Sequence, residues 1–343
     1  MALSEIKNRK RCISLNGPVY IRQSGCVTGP KEGRGSHFAD GFDLVWEDDL
    51  GGEKNWEEAE SALMKQAVEI TLAKAGLGAS DVDCVFAGDL LSQSTASSYG
   101  LSGLGIPHYG IFGACASSGA ALALSGMLID GGYIERAVAA ASSHFASAER
   151  EFRFPLGYGS QRPLSASWTV TGCGAFLLDR DEIGEPLAKI TGVVMGEIVD
   201  PGITDAMNMG GCMAPAAALT ITSAFREFPY LLDNYDQIIT GDLGEVGSQA
   251  LADLLLQQGY DIAERHMDCG LYMYDREKED VHAGGSGCGC SAVMLAAFIL
   301  PKIKSGDWRR VLFVPTGALL SKVRTQEKMS VPSIAHGIVI ERV

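Results

Sequence analysis

Residues 82–90 read V-D-C-V-F-A-G-D-L, and residues 235–243 read Y-D-Q-I-I-T-G-D-L. Each is a short apolar run, expected to be a strand, that enters Gly-Asp-Leu. A helical stretch precedes each one, Glu57 to Lys74 in the first case and Ala214 to Arg226 in the second. The next block recurs as well. Residues 113–140 open G-A-C-A-S-S-G, continue through a small-residue helix and end G-G-Y-I-E-R-A-V-A-A; residues 287–314 open G-C-G-C-S-A-V and end S-G-D-W-R-R-V-L-F-V. Aligned on the helix ends, Cys115 stands opposite Gly289 and Ser117 opposite Ser291. A third pair, 174–180 and 336–342, closes each copy with a strand ending in an acid and an arginine. Repeated blocks in one order indicate tandem duplication, with halves expected at 1–182 and 183–343. Strands alternate with helices in both, so each half is expected to be an α/β unit with parallel, right-handed βαβ crossovers. The helices at 116–130 and 290–304 are apolar nearly all round, the signature of burial between two sheets.

The rest of the sequence bounds the function. A chain of 343 residues, 46% hydrophobic and 20% charged, has the balance of a globular protein able to bury a sizeable core. A net charge of −14 argues against nonspecific nucleic-acid binding and against direct attraction to anionic lipid. The longest unbroken apolar run, Cys290 to Leu300, is about half of what a membrane span needs. The N-terminal Lys7, Arg9, Lys10 and Arg11 are followed by no apolar run, so neither a transmembrane segment nor a signal peptide is expected. Nine cysteines without a CxxC pair imply reduced thiols rather than a disulfide framework, and Cys288 and Cys290 are spaced too tightly for the usual zinc site. No metal and no cofactor is expected.

Cys115 is the candidate reactive group. It follows a strand-like approach, Tyr109 to Gly113, and precedes a helix, where the dipole and free N–H groups favour a thiolate. A buried structural cysteine is the alternative. The two halves, with G-A-C-A-S-S-G-A-A-L opening the first buried helix, resemble the thiolase fold, which includes thiolases and ketoacyl-carrier-protein synthases. The resemblance implies a five-layer αβαβα arrangement, a nucleophile at Cys115, and a homodimer. Such enzymes also need a histidine, with a second His or an Asn, from loops of the second half to move protons and form an oxyanion hole. Here the matching loops read Gly241-Asp-Leu-Gly-Glu245 and His282-Ala-Gly-Gly-Ser-Gly-Cys288. His282 is the nearby substitute, or else a surface or capping histidine. Asp242 is acceptor-only when ionised.

Longer segments narrow the resemblance: N-G-P-V-Y-I at 16–21, E-R-E-F-R-F-P-L-G-Y-G-S-Q-R-P at 149–163, W-T-V-T-G-C-G-A-F at 168–176, and the stretch D-V-H-A-G-G-S-G-C-G-C-S-A at 280–292. With A-G-D-L-L-S-Q, T-G-D-L-G and V-P-T-G-A-L-L-S, they resemble the stage V sporulation protein AD family of spore-forming Firmicutes. That resemblance implies a non-catalytic protein that binds dipicolinic acid, or its calcium chelate, for uptake into the forespore. It implies a peripheral place on the spore inner membrane, beside membrane-spanning proteins of the same sporulation system. A planar dianion needs donors. Arg150, Arg153 and Arg162 are candidates, among Phe152, Phe154 and Tyr158, as are the N–H groups at Ala116–Ser118 and His144 if protonated. Alternatively these arginines pair with Glu149 and Glu151 on a solvated face. For the chelate, Asp89 and Asp242 end matching strands, unless each only caps its turn. Two other functions remain open from the sequence. One is a cysteine-dependent acyltransferase with His282 or His144 as base; the other is a scaffold for membrane partners with a vestigial pocket.

Overall fold

The computed structural model describes residues 10–152, 162–181 and 184–343. The expected boundary at 182/183 falls outside the described residues, as do Arg153, Phe154, Tyr158 and the side chains of Arg150 and Phe152. Ten strands build one sheet: β1 (Cys12–Thr28), β2 (Cys84–Gly88), β3 (His108–Ile111), β4 (Arg136–Ser143), β5 (Gly172–Asp179), β6 (Ala188–Val194), β7 (Gln237–Thr240), β8 (His266–Asp268), β9 (Arg310–Val314) and β10 (Gly337–Glu341). Their order is β8-β7-β9-β10-β6-β1-β5-β4-β2-β3, and the short strand Leu44–Val45 pairs with β1. Each strand of the first five thus has its counterpart five strands later, in the same relative place. β2 lies parallel to β3 and β4, and β7 lies parallel to β8 and β9. The antiparallel pairing of β1 with β6 joins the two sets edge to edge.

Alternation along the strands builds three apolar cores. On β4, Ala137, Ala139 and Ala141 face a central core, while Val138 and Ala140 face an outer one. On β9, Val311 and Phe313 face the central core, while Leu312 and Val314 face the opposite outer one. Leu63, Met64, Ala67 and Val68 of helix Trp56–Ala75 cover the first outer face. Met213, Ala217, Ile221 and Ala224 of helix Met209–Glu227 cover the other, with Leu251 and Leu255 of helix Gly244–Leu256. Between the half-sheets lie helix Ser117–Asp130 and the helical run Cys288–Ser305. This is the five-layer αβαβα order of the thiolase-like fold. Fully buried leucines such as Leu122 hold the middle layer, each worth about 2 kcal/mol of apolar burial.

The central helices approach the sheet closely because the facing residues are small. A Cβ on Gly174 would meet the Ala292 carbonyl oxygen at 2.5 Å, and one on Gly289 would meet that of Gly172 at 2.3 Å. The run Cys288–Ser305 is longer than its unbroken apolar stretch suggests. Its 18 residues, with mean hydropathy 1.4, are long and apolar enough to cross a membrane, yet 72% of it is buried inside the fold. Gly289, Ser291, Pro301 and the terminal lysines interrupt its apolar pattern without ending the helix.

Candidate functional site

β3 leads through Phe112 and Gly113 into a tight 3₁₀ turn, Ala114–Ala116, and then into helix Ser117–Asp130. Ala114 holds a left-handed backbone, φ 50°, which a non-glycine residue adopts only at a cost. That turn sets Cys115 at the mouth of the central layer. The residue is buried, only 8% exposed, and its thiol faces the carboxylate of Asp242, in the loop after β7. Burial first, then the charge of Asp242, pushes the thiol well above its ordinary value. Burial likewise pushes Asp242 up to about 7.

Asp242 is held from three sides. Oδ1 accepts from Thr316 Oγ1 at 2.9 Å, Oδ2 accepts from Gly287 N at 3.0 Å, and Cys115 lies beyond. The Gly287 amide at the start of the second buried helix therefore donates to a carboxylate while also facing Cys115. Cys288 Sγ sits 3.1 Å from the carbonyl oxygen of Ala114. Beside Cys115 opens a cavity lined by Leu90, Ala148, Thr169, Met207, Met209 and Leu320, with Ser286, Gly287 and four alanines completing the wall. Its free volume is about 50 Å³, room for only a few waters. None of the six histidines, and no lysine or arginine among the described residues, lines it.

The other candidates are placed as follows. The Ala116 N–H bonds the Gly113 carbonyl, and Ser117 Oγ donates to the Ala114 carbonyl at 2.7 Å while accepting from Gly113 N at 3.2 Å. These donors serve the turn itself. His144 is fully buried, its Nδ1 accepting from Ala146 N at 3.2 Å, so Nε2 carries the proton and donates to the Asp49 carbonyl at 2.7 Å. Burial lowers its pKa, favouring the neutral ring. Arg162 and His282 are brought together, but by Asp280 and away from the cavity. Arg162 Nη2 lies 2.8 Å from one Asp280 oxygen and His282 Nε2 lies 3.1 Å from the other, with the guanidinium 5.1 Å over the Trp168 ring. Glu151, one of the two expected arginine partners, accepts from Ser92 Oγ at 2.7 Å and pairs with Lys322 at 3.3 Å. Asp89 accepts from Leu91 N, Ser97 N and Ser97 Oγ at 2.9, 2.8 and 2.6 Å, which ties it to its own turn and to the first turn of helix Thr95–Leu101.

Residues 9–341 match the family model of stage V sporulation protein AD. Stage V sporulation protein AD of Bacillus subtilis (strain 168) is 43% identical over 325 residues, 95% of either chain. The chain belongs to the stage V sporulation protein AD family. Family membership makes it a sporulation protein, whose place is the forespore or spore. Among solved structures, cerulenin-bound OleA of Xanthomonas campestris aligns with 97% of the chain and 100% of its own, at a TM-score of 0.59 and 15% identity. The 3-oxoacyl-[acyl-carrier-protein] synthase III of Aquifex aeolicus VF5 aligns with 95% of the chain and 100% of its own, at 0.57 and 12%. At those identities the likeness speaks for the fold, which is thiolase-like in this family member too.

Several site residues carry no signal in the sequence. Met207 comes from the irregular loop after β6, where nothing is periodic, and Met209 opens the helix that follows it. Thr316 follows β9 by two residues, so only its place after a strand end marked it. Cys288 was visible as half of a CxC pair, but not as the neighbour of Ala114.

Proposed function

We propose that this protein is a non-catalytic binding protein for dipicolinic acid or its calcium chelate, serving uptake of that ligand into the forespore. In this reading it acts as a homodimer, peripheral on the spore inner membrane, beside membrane-spanning proteins of the same system. The observation that carries the non-catalytic part is the pairing of Cys115 with Asp242. Acyl transfer needs a thiolate, a proton carrier and donors for the oxyanion. Here the thiol is kept protonated by burial and by a facing carboxylate, and the Gly287 amide, which also faces the thiol, donates to that carboxylate.

The ligand part rests on the family and on the chemistry of the cavity. A dianion entering an apolar wall without a described cation loses hydration that nothing replaces. The one-to-one calcium complex is neutral overall, and Ser286 and Thr169 offer oxygens of the kind calcium accepts. The chelate therefore suits this wall better than the free acid. Met207 and Met209 are unbranched side chains that can move aside to enlarge the cavity.

Calorimetric titration of the purified full chain with dipicolinic acid, alone and with equimolar calcium, tests the reading. Saturable binding that tightens with calcium is expected; no binding in either arm overturns it. Incubation with acetyl-coenzyme A followed by intact-mass measurement is the second arm, and an acetyl group on Cys115 would make the protein an acyltransferase.

A further inference from the structure

The cavity beside Cys115 has a free volume of about 50 Å³, whereas an apolar cavity that holds a single benzene ring measures about 150 Å³. An aromatic ligand of the size proposed above therefore enters only if part of the wall moves. Three wall residues belong to segments that meet again on the outside of the molecule. Leu90 lies two residues before Ser92, Leu320 lies two residues before Lys322, and Ala148 lies about one helical turn before Glu151. The Glu151 carboxylate gathers all three segments. Oε1 accepts from Ser92 Oγ at 2.7 Å, and Oε2 accepts from Lys322 Nζ at 3.3 Å.

Helix Phe145–Phe152 is the fixed post of the three, since Ala146 and Ala148 are buried and Phe145 stacks on Trp168 with ring centroids 5.2 Å apart. The other two segments are held more lightly. Residues 322–329 are all exposed, and helix Lys322–Gln326 buries none of its side chains. A segment with so little burial opens at low cost. In the loop after β2, Gln93 and Ser94 are successive left-handed residues, with φ 60° and 52°, a conformation that residues with side chains disfavour. The shape of that loop is held by its partners rather than by backbone preference.

We propose that Glu151 is a clasp over the mouth of the Cys115 cavity, holding the Leu90 and Leu320 walls to the fixed helix when closed and admitting ligand when Ser92 and Lys322 let go. Glu151 and Lys322 are 29% and 43% exposed, so water and salt weaken their attraction and release costs little. The size of the ligand rests on the function proposed above, while the clasp itself rests on the contacts of Glu151.

Alkylation of Cys115 by iodoacetamide in the full chain, followed by mass mapping of the peptide that carries it, reads the opening without any ligand. Glu151→Gln removes the charge, Lys322→Gln the ammonium and Ser92→Ala the hydroxyl. Each is expected to raise the rate by about two- to fivefold, the range set by one exposed tie. The factor is expected to be the same at about pH 7.5 and pH 9, because access changes and thiol ionisation does not. Sodium chloride up to about 0.5 M is expected to speed the wild type and to leave Glu151→Gln unaffected. Combining Glu151→Lys with Lys322→Glu restores the pair and is expected to return the rate toward that of the wild type. Unchanged rates in all the single variants, a factor that appears at only one pH, or a double exchange as fast as Glu151→Lys alone overturns the clasp. Titration of the wild type and Glu151→Gln with calcium and dipicolinic acid separates the two readings. No binding to either protein, with alkylation responding as expected, counts against the ligand alone. Binding with alkylation unresponsive counts against the clasp alone.

Discussion

Asp89 and Asp242 end matching strands of the two halves in the same Gly-Asp-Leu sequence, yet they do different work. Asp89 turns back on its own loop, where Leu91 and Ser97 consume it. Asp242 reaches across to the other half, where Cys115 faces it, and its remaining partners come from Gly287 and Thr316. The strand end fixes where a carboxylate stands, and the loop that follows decides what it meets. After Asp89 the chain reaches a helix at Thr95, whose Ser97 amide and hydroxyl donate back to the carboxylate. After Asp242 the chain enters a helix almost at once, at Gly244, and leaves the carboxylate open to the central layer. The matching strand ends place two carboxylates alike, and the segments that follow leave one bonded within its own half and the other facing Cys115 across the halves.

The largest expected effect comes from breaking this difference at its functional end. Asp242→Asn removes the charge that faces Cys115, so the thiol should ionise at lower pH. Alkylation of Cys115 by iodoacetamide at about pH 8 is expected to accelerate by tenfold or more, since one unit in pKa is tenfold in thiolate. An amide nitrogen facing the Gly287 N–H also costs about 1–3 kcal/mol of stability. Asp89→Asn should leave the alkylation rate unchanged. Equal rates in the two variants would erase the distinction between the halves.

Next in size is the dependence of stability on pH, to which both carboxylate neighbourhoods contribute. Burial pushes Asp242 and Glu32 up to about 7 and Asp268 up to about 6. A carboxyl raised in the fold contributes stability that is complete below its unfolded value and lost as pH climbs through its folded value. The buried histidines work the other way. His266 is lowered to about 4, and His108, His144 and His336 are lowered too, so their contribution is complete above their unfolded value and fades on acidification. The two trends cross near about pH 6, and stability is expected to fall on the order of 2 kcal/mol from there to about pH 8. Urea midpoints across that range check it; a midpoint that rises with pH contradicts the sign.

Much of this fold is legible in the sequence, because it is written twice. The paired Gly-Asp-Leu strand ends, the two small-residue helices and the acid–arginine closing strands all occupy equivalent places in the sheet. The direct pairing of β1 with β6 was not legible. β1 runs for 17 residues through buried and half-exposed positions, and its pattern does not say which neighbour it takes. At the site, Cys115 and Asp242 each stand out singly, one at a helix start and the other at a strand end. That they face each other is a contact between halves, and no local spacing encodes it. Arg162 and His282 illustrate the reverse: both belong to loops that looked ligand-facing, and Asp280 gathers them elsewhere.

At the structural end, Asp89→Asn tests whether that carboxylate only caps. Asparagine keeps one acceptor oxygen, so the expected loss is about 1 kcal/mol, seen as a lowered melting temperature with ligand affinity retained. A change in affinity as large as that of Asp242→Asn would give the first half a share in the site.

The smallest expected effect concerns the place where the halves touch most symmetrically. Ser118 Oγ and Ser291 Oγ lie 2.7 Å apart between the two central helices, both buried. Either hydroxyl alone, left by alanine without its partner, should cost about 1 kcal/mol, because a buried group loses its bond without regaining water. Ser291 has a weaker alternative in the Cys288 carbonyl at 3.5 Å, so Ser118→Ala should cost less than Ser291→Ala. Replacing both removes donor and acceptor together and should change stability by less than about 0.5 kcal/mol. A double mutant as damaged as the two singles added together would mean that this bond sets the register of the helices. A nearly neutral one would assign that register to the close glycine contacts at Gly174 and Gly289, where no side chain can be added without moving a helix.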